Sequence, residues 1–141
     1  MEELIGKYRG KGLKLTPQRL AIIEFLDGNT CHPTADDIFQ AVKAKYPTVS
    51  LATVYNTIQS LQEMGELQEL TINPERKHFD PNVAPHHHMI CTECKAIEDV
   101  FEDYSSILGL PSKVRKGFKI TGNHVNFYGQ CVQCQSSSSI N

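Results

Sequence analysis

The segment Pro47-Thr-Val-Ser-Leu-Ala-Thr-Val-Tyr-Asn56 decides the fold of the first half of the chain, because it contains a short turn and the start of a helix. Ser50 is a good N-cap residue. Val54, Ile58 and Leu61 then repeat at helical spacing. Gly65 predicts the end of this helix. The turn before Ser50 is about as short as the one that joins the helices of a helix-turn-helix motif.

Outward from this segment, the first half reads as helices followed by a hairpin. Helix start signals occur at Thr16-Pro17 and at Thr34, which forms a capping-box pattern with Asp37. Residues 67–72 alternate, 73–75 turn and 77–79 return, which predicts two paired strands. Helices followed by a two-stranded ribbon indicate a winged helix-turn-helix domain, predicted over residues 1–80.

The second half is predicted to be a separate domain. Residues 81–85 form a polar, proline-containing hinge, and residues 86–141 alternate strand and helix. The pattern predicts strands at 86–90, 96–101 and 118–127, a helix at 104–114 and a disordered, serine-rich tail from about residue 136. The fold class is therefore α+β, with a winged-helix domain followed by a small α/β domain.

The sequence lacks a run that could form a membrane-spanning helix, and the whole chain is not a polycation. The formal net charge is −2, so a nucleic-acid contact needs a local basic surface. Basic residues do cluster near the start of the chain, although a solvated face would read the same way. No apolar run is long enough to span a bilayer, and Met1 to Gly12 lacks the apolar stretch of a secretory signal. The expected location is cytoplasmic.

Two Cys-x-x-Cys pairs carry the strongest chemical signal. Cys91 and Cys94 form the first pair, and Cys131 and Cys134 form the second. This spacing lets both sulfurs of each turn face one ion, and four thiolates make a closed structural zinc site. Two disulfides or a redox dithiol are the alternatives. Zinc is favoured because both pairs share one spacing, and because paired cysteines in a cytosolic chain are more often metal ligands than disulfides. The fifth cysteine, Cys31, is expected to be a small buried hydrophobe rather than a modulating thiol.

A second metal site is indicated by His86-His87-His88. Residues two apart on a strand face the same side, so His86 and His88 can share one ion. Asp80, Asp99 and a histidine of the first half are candidates to complete the site. Imidazoles with carboxylates suit Fe(II), Mn(II) or Zn. The alternative is a polar strand that binds nothing. His78 and His124 are predicted to be ordinary polar strand residues.

The chain resembles the ferric uptake regulator (Fur) family, and most closely its peroxide-sensing PerR branch. The matching motifs lie in family order from about Leu13 to Cys134, and together they are highly specific. They are Leu15-Thr-Pro-Gln-Arg19, His32-Pro-Thr-Ala-Asp-Asp-Ile38, Ala52-Thr-Val-Tyr-Asn56, Phe79-Asp80, His86-His-His-Met-Ile-Cys91, Cys94 and Cys131-x-x-Cys134.

The resemblance implies a homodimeric, metal-dependent repressor of a double-stranded DNA operator, with C-terminal dimerisation domains. It assigns the four paired cysteines to structural Zn²⁺. It also implies a regulatory Fe²⁺ or Mn²⁺ held by His32, Asp80, His86, His88 and Asp99. Because these ligands come from both halves, metal binding would close one half on the other and so control DNA affinity.

Asp99 places the chain in the peroxide-sensing branch, because similar iron sensors usually carry Glu there. The resemblance implies that peroxide oxidises His32 and His86 when Fe(II) is bound, each gaining one oxygen atom, whereas Mn(II) resists this chemistry. An additional site of some iron sensors is incomplete here, since Pro85 replaces an expected histidine.

The helix after Ser50 is predicted to enter the DNA major groove. Tyr55 and Asn56 lie early in it, although Tyr55 could instead pack in the core. Arg19 would hold a phosphate, and the turn of the hairpin would add a contact. The predicted DNA-binding residues are Arg19, Ser50, Thr53, Tyr55, Asn56, Arg76 and Lys77.

Two other functions remain open at this point. The first is an iron-responsive or other divalent-metal-responsive repressor of the same family, without peroxide sensing. The second is a small metalloenzyme that uses the histidine–carboxylate site. The sequence contains no nucleophile motif and no obvious general base beside that site, so the expectation is that the chain is not an enzyme.

Overall fold

The structure, a computed structural model, describes residues 2–73, 76–104 and 109–138. Its contacts divide the chain into two compact units, Met1–Val83 and Ala84–Asn141. Each unit has its own sheet. Within the described residues, no helix combines the length and the apolarity needed to cross a membrane.

Four helices and a hairpin build the N-terminal unit. They are α1 (Glu2–Gly10), α2 (Pro17–Leu26), α3 (Ala35–Lys45), α4 (Leu51–Glu63), β1 (Gln68–Asn73) and β2 (Arg76–Asp80), with β1 antiparallel to β2. The predicted caps are present, because Thr16, Thr34 and Ser50 each accept a hydrogen bond from a backbone N–H of the first turn. Gly65 has a φ of 74° after α4, which favours glycine.

A single apolar core holds this unit together. Ile22 of α2, Ile38 of α3 and Val54 of α4 are completely buried in it. Val54, Ile58 and Leu61 form the face of α4 that packs in the core. Leu51 and Tyr55, near the start of the helix, lie off this face and are 43% and 53% exposed. The core therefore positions one end of α4 at the surface.

The C-terminal unit contains a three-stranded sheet. Its strands are β3 (His87–Cys91), β4 (Ile97–Val100) and β5 (Asn126–Gly129), in the order β4-β3-β5. The central strand β3 is antiparallel to β4 and parallel to β5, which places His88 opposite both Asp99 and Asn126. Two helices complete the unit, α5 (Ser112–Arg115) and α6 (Val132–Ser138).

Three predictions for this unit need correction. The helix predicted at 104–114 is wrong at 109–111, because Pro111 disfavours helical backbone before it and helix α5 starts only after it; residues 105–108 lie outside the described part. The strand predicted at 118–127 begins only at Asn126, where β3 first offers a partner. The tail predicted to be disordered from about residue 136 is helical at 136–138, since α6 continues from the second cysteine pair; residues 139–141 lie outside the described part.

Candidate metal centres

The four paired cysteines come together in the C-terminal unit. Cys91 ends β3, Cys94 follows in the next turn, and Cys131 and Cys134 lie after β5 and in α6. Their sulfur atoms all lie within 4.8 Å of one another. The Sγ atoms of Cys91 and Cys134 are 3.7 Å apart, as are those of Cys94 and Cys131.

These distances fit a zinc ion and do not fit disulfides. Tetrahedral ligands with Zn–S bonds of about 2.3 Å lie about 3.8 Å from one another. A disulfide would need about 2.05 Å between sulfurs. The residues present therefore suit Zn²⁺, which would tie the end of β3 to the start of α6 and supply folding free energy.

The thiols of this cluster differ in acidity. Hydrogen bonds from the backbone N–H groups of Cys131 and Cys94 lower the pKa of Cys91 to about 6. By contrast, the neighbouring thiols, first Cys131, raise the pKa of Cys134. Each further thiolate is thus repelled by the thiolates already formed. A cation at the centre of the cluster would offset that repulsion.

The N-terminal unit contributes two buried polar side chains of the predicted regulatory site. Nε2 of His32 lies 3.4 Å from Oδ2 of Asp80, and both residues are only 1% exposed. The other oxygen of Asp80 accepts the backbone N–H of Asn82 at 2.9 Å, which fixes the carboxylate. His32 has a φ of 54°, a left-handed conformation that a non-glycine residue rarely adopts.

The C-terminal unit brings together the other three predicted ligands. Oδ1 of Asp99 lies 3.0 Å from Nε2 of His86 and 3.3 Å from Nε2 of His88. Nδ1 of His86 donates to the carbonyl of Ala84 at 2.8 Å, so its Nε2 is the nitrogen left to face the carboxylate. His86 and His88 are 2% and 0% exposed.

The spacing in each group fits ligands of one ion. Nitrogen and oxygen atoms about 2.1 Å from a shared metal lie about 3.0–3.4 Å from each other at octahedral or tetrahedral angles. Charged groups buried to this degree need partners or a metal. The donor set of imidazoles and carboxylates suits Fe(II), Mn(II) or Zn.

Two histidines predicted to be ordinary polar strand residues contact the predicted ligands. Nδ1 of His78 donates to the backbone carbonyl of His32 at 2.6 Å. Nε2 of His124 lies 3.2 Å from Nδ1 of His88, and His124 precedes β5 rather than lying in it. The only signal in the sequence is that both residues are histidines, because the pairings that place them are not local.

Cys31 also differs from its prediction. Its side chain is exposed, although the sequence indicated a small buried hydrophobe. Its backbone N–H binds Oδ1 of Asn29 in the turn after α2, and the left-handed His32 that follows turns inward instead.

The predicted DNA-binding residues lie on the N-terminal unit. Arg19, Thr53 and Asn56 line one groove of about 600 Å³, together with Lys14. The guanidinium of Arg19 donates to the carbonyl of Lys14 at 3.0 Å. The remaining four are Ser50, which caps α4, and the exposed Tyr55, Arg76 and Lys77.

Comparison with known proteins gives consistent matches. The model of the Ferric uptake regulator family matches residues 10–128. The peroxide-responsive repressor PerR of Staphylococcus aureus strain Mu50 is 35% identical over 135 residues, which cover 96% of this chain and 91% of the relative.

Solved structures agree with this match. The ferric uptake regulator of Francisella tularensis with iron has a TM-score of 0.74 at 27% identity, covering 88% of this chain and 96% of that one. The Campylobacter jejuni peroxide stress regulator has a TM-score of 0.66 at 30% identity, covering 95% and 98%. The chain therefore belongs to the ferric uptake regulator family of metal-binding transcription regulators.

Proposed function

We propose that this chain is a metal-dependent transcriptional repressor that senses peroxide through oxidation of its own metal ligands. A regulatory Fe²⁺ would be held by both ligand groups, and Mn²⁺ would be the peroxide-resistant substitute. The residues of this site are His32, Asp80, His86, His88 and Asp99. The similarity to the peroxide-responsive repressor of S. aureus and to the peroxide stress regulator of C. jejuni supports the proposal.

The observation that carries the proposal is the pairing of buried Nε2 atoms with aspartate oxygens in both units. His32 faces Asp80, while His86 and His88 face Asp99, at 3.0–3.4 Å. Neither group alone offers enough donors for a six-coordinate ion. A single ion that takes ligands from both would favour one arrangement of the two units. Loss of one imidazole would release that constraint.

Asp99 is the residue that favours peroxide sensing over simple metal sensing. Its short side chain would provide one oxygen and leave room for a small molecule beside the imidazoles. The imidazoles and Asp99 would hold Fe(II), which would supply the redox chemistry that activates peroxide. Hydrogen peroxide would be the two-electron oxidant: one of its oxygens would be inserted into a C–H bond of a ligand imidazole and the other would leave as water. The exposed end of α4, with Tyr55 and Asn56, would contact the major groove in each half of a homodimer.

Peptide masses test the sensing step. The zinc-containing protein is loaded with Fe(II) or with Mn(II), treated with hydrogen peroxide and digested. We expect one added oxygen on the peptides that contain His32 or His86 with Fe(II), and none with Mn(II). Unmodified peptides in both samples would favour a repressor that responds to iron or another divalent metal without sensing peroxide.

A gel-shift assay tests the repressor itself. Promoter fragments from the organism's own genome should be retarded by the protein in Mn(II) and released when the metal is chelated. The absence of a metal-dependent shift on every fragment would contradict the proposal and would reopen the metalloenzyme interpretation.

A further inference from the structure

His88 divides its two ring nitrogens between different partners. Nε2 lies 3.3 Å from Oδ1 of Asp99, and Nδ1 lies 3.2 Å from Nε2 of His124. The centroids of the two imidazole rings are 5.1 Å apart, and the ring planes are inclined to each other by 45°. His88 is completely buried, whereas His124 is exposed, so His124 stands between a buried ring and solvent.

The chemistry of imidazole gives this contact a direction. A nitrogen that binds a metal must carry a lone pair, so Nε2 of His88 cannot also carry the proton. The proton then lies on Nδ1, which becomes a donor and needs an acceptor. Nε2 of His124 is the acceptor that the contact supplies. A hydrogen bond of this kind fixes the tautomer and the orientation of a ligand histidine.

The other histidine of this unit that faces Asp99 shows the same arrangement with a simpler acceptor. Nδ1 of His86 donates to the carbonyl of Ala84 at 2.8 Å. A backbone carbonyl is always present, but a side-chain acceptor can be removed by substitution. The contact between His124 and His88 is therefore the one that mutagenesis can isolate.

Val125, the residue after His124, is held by two hydrogen bonds that do not involve the ring of His124. The N–H of His88 donates to the carbonyl of Val125 at 3.2 Å, and the N–H of Val125 donates to Nδ1 of His87 at 2.9 Å. These bonds hold the entry to β5 against β3. Because the His124 side chain is itself exposed, replacing it leaves no cavity in the core.

We propose that His124 is a positioning residue that fixes His88 as an Nε2 ligand of the regulatory metal. This inference rests on the proposed function, since it requires a metal at His88. In this proposal His124 does not bind the metal itself, and one of its ring nitrogens accepts a hydrogen bond from the ring of His88.

Two matched substitutions separate the acceptor from the bulk of the side chain. His124→Leu removes the acceptor, and His124→Gln places an amide oxygen where Nε2 was. Mn²⁺ affinity of the full-length, zinc-containing protein is measured by competition with a fluorescent chelator. We expect about 10- to 100-fold weaker binding for His124→Leu, and binding within about threefold of the wild type for His124→Gln. His124→Ala, which also lacks an acceptor, should match the leucine variant.

A spectroscopic readout accompanies the affinities. Co²⁺ in the regulatory site should show a shifted visible absorption band in His124→Leu and the wild-type band in His124→Gln. Equal affinities and equal bands in the wild type, the leucine and the glutamine variants would overturn the proposal, as would equal weakening in the leucine and glutamine variants.

A fourth variant keeps this proposal distinct from the function beneath it. His88→Ala should abolish tight Mn²⁺ binding if His88 is a ligand. Loss of binding in His88→Ala without an effect of His124→Leu would leave the proposed function standing and remove the role of His124. Tight binding in His88→Ala would remove both.

Discussion

Nδ1 of His78 donates a hydrogen bond to the backbone carbonyl of His32 at 2.6 Å, which ties strand β2 to the turn that carries a predicted ligand. His32 has a φ of 54° and precedes Pro33, a position that disfavours such backbone. The N–H of Phe79 adds a second tie, to the carbonyl of Pro33 at 2.9 Å. Strand β2 therefore holds a strained turn in place.

Removing the first tie should weaken metal binding more than it weakens the fold. In His78→Ala the turn loses the donor that holds the carbonyl of His32, so we expect the Mn²⁺ affinity to fall by about tenfold. His78→Asn keeps an N–H near the position of Nδ1 and should retain most of the affinity. Competition titrations with a chelator measure both. Equal affinities for the alanine and asparagine variants would show that the contact is not needed.

The zinc cluster should support both folding and dimerisation. Cys94→Ser breaks the tetrahedral set of sulfurs, so we expect loss of bound zinc and of the dimer. Elemental analysis measures the zinc, and size-exclusion chromatography with light scattering measures the dimer. Cys31→Ser is the matched control, because Cys31 is exposed and outside the cluster, and it should keep both. A stable, zinc-free dimer of Cys94→Ser would contradict the structural role.

Features set by neighbouring residues were predictable, and features set by distant pairing were not. The spacing of Cys91 and Cys94, the cap at Ser50 and the capping box at Thr34 each depend on a few adjacent residues. The contact of His124 with His88 depends on β5 lying parallel to β3, which no local pattern encodes. The sequence therefore indicated the cysteine, histidine and aspartate side chains that come together, and it did not predict the contacts that His78 and His124 make with them.

Two errors have the same physical origin. The helix predicted across residues 109–111 followed apolar spacing, but Pro111 restricts the backbone more strongly than that spacing favours a helix. The exposure of Cys31 follows from the left-handed backbone of His32, because this backbone points the side chains of Cys31 and His32 in different directions. Backbone restrictions of this kind outweigh average residue preferences.

Glu66 should stabilise the N-terminal unit in a pH-dependent manner. Hydrogen bonds from Lys11 and Lys7 lower its pKa from the ordinary value of 4.5, and the same contact with Glu66 raises the pKa of Lys7. A carboxylate with a lowered pKa stabilises the fold above its unfolded pKa, and this contribution is lost as the pH falls through the folded value. We expect Glu66→Gln to cost about 0.5–1 kcal/mol at neutral pH.

Urea unfolding at several pH values measures this effect. The difference between the wild type and Glu66→Gln should shrink as the pH is lowered below 4.5, where the carboxylate takes up its proton. Glu63→Gln is the control, since Glu63 is exposed and its contact is with a neutral side chain, Gln59. A difference that stays constant down to acid pH would exclude the ion pairs as its cause.

The length of the carboxylate at position 99 should decide the response to peroxide. Oδ1 of Asp99 already lies 3.0 Å from Nε2 of His86, so an added methylene in Asp99→Glu would push a carboxylate oxygen into the space left for peroxide. We expect Mn²⁺-dependent DNA binding to persist and oxidation of His32 and His86 with Fe(II) to slow by about tenfold or more. Peptide masses over time measure the oxidation, and Glu98→Asp on the exposed neighbour should leave its rate unchanged. If Asp99→Glu is oxidised at the wild-type rate, the length of the carboxylate at position 99 does not determine the response to peroxide.

Tyr55 should contribute to DNA affinity without contributing to stability. Its ring is 53% exposed at the N-terminal end of α4, the end that reaches base edges in a helix-turn-helix protein. We expect Tyr55→Ala to weaken operator binding by about 1–2 kcal/mol, roughly tenfold, while changing the free energy of unfolding by no more than about 0.5 kcal/mol. Gln59→Ala, one turn further along the same helix face, is the control and should retain the affinity. Fluorescence anisotropy at fixed salt, with Mn²⁺ saturating, measures both variants. Equal losses of affinity in the two variants would show that the N-terminal end of α4 has no special role in DNA recognition. A loss of stability in Tyr55→Ala would show that the ring packs against the rest of the unit more than its exposure indicates.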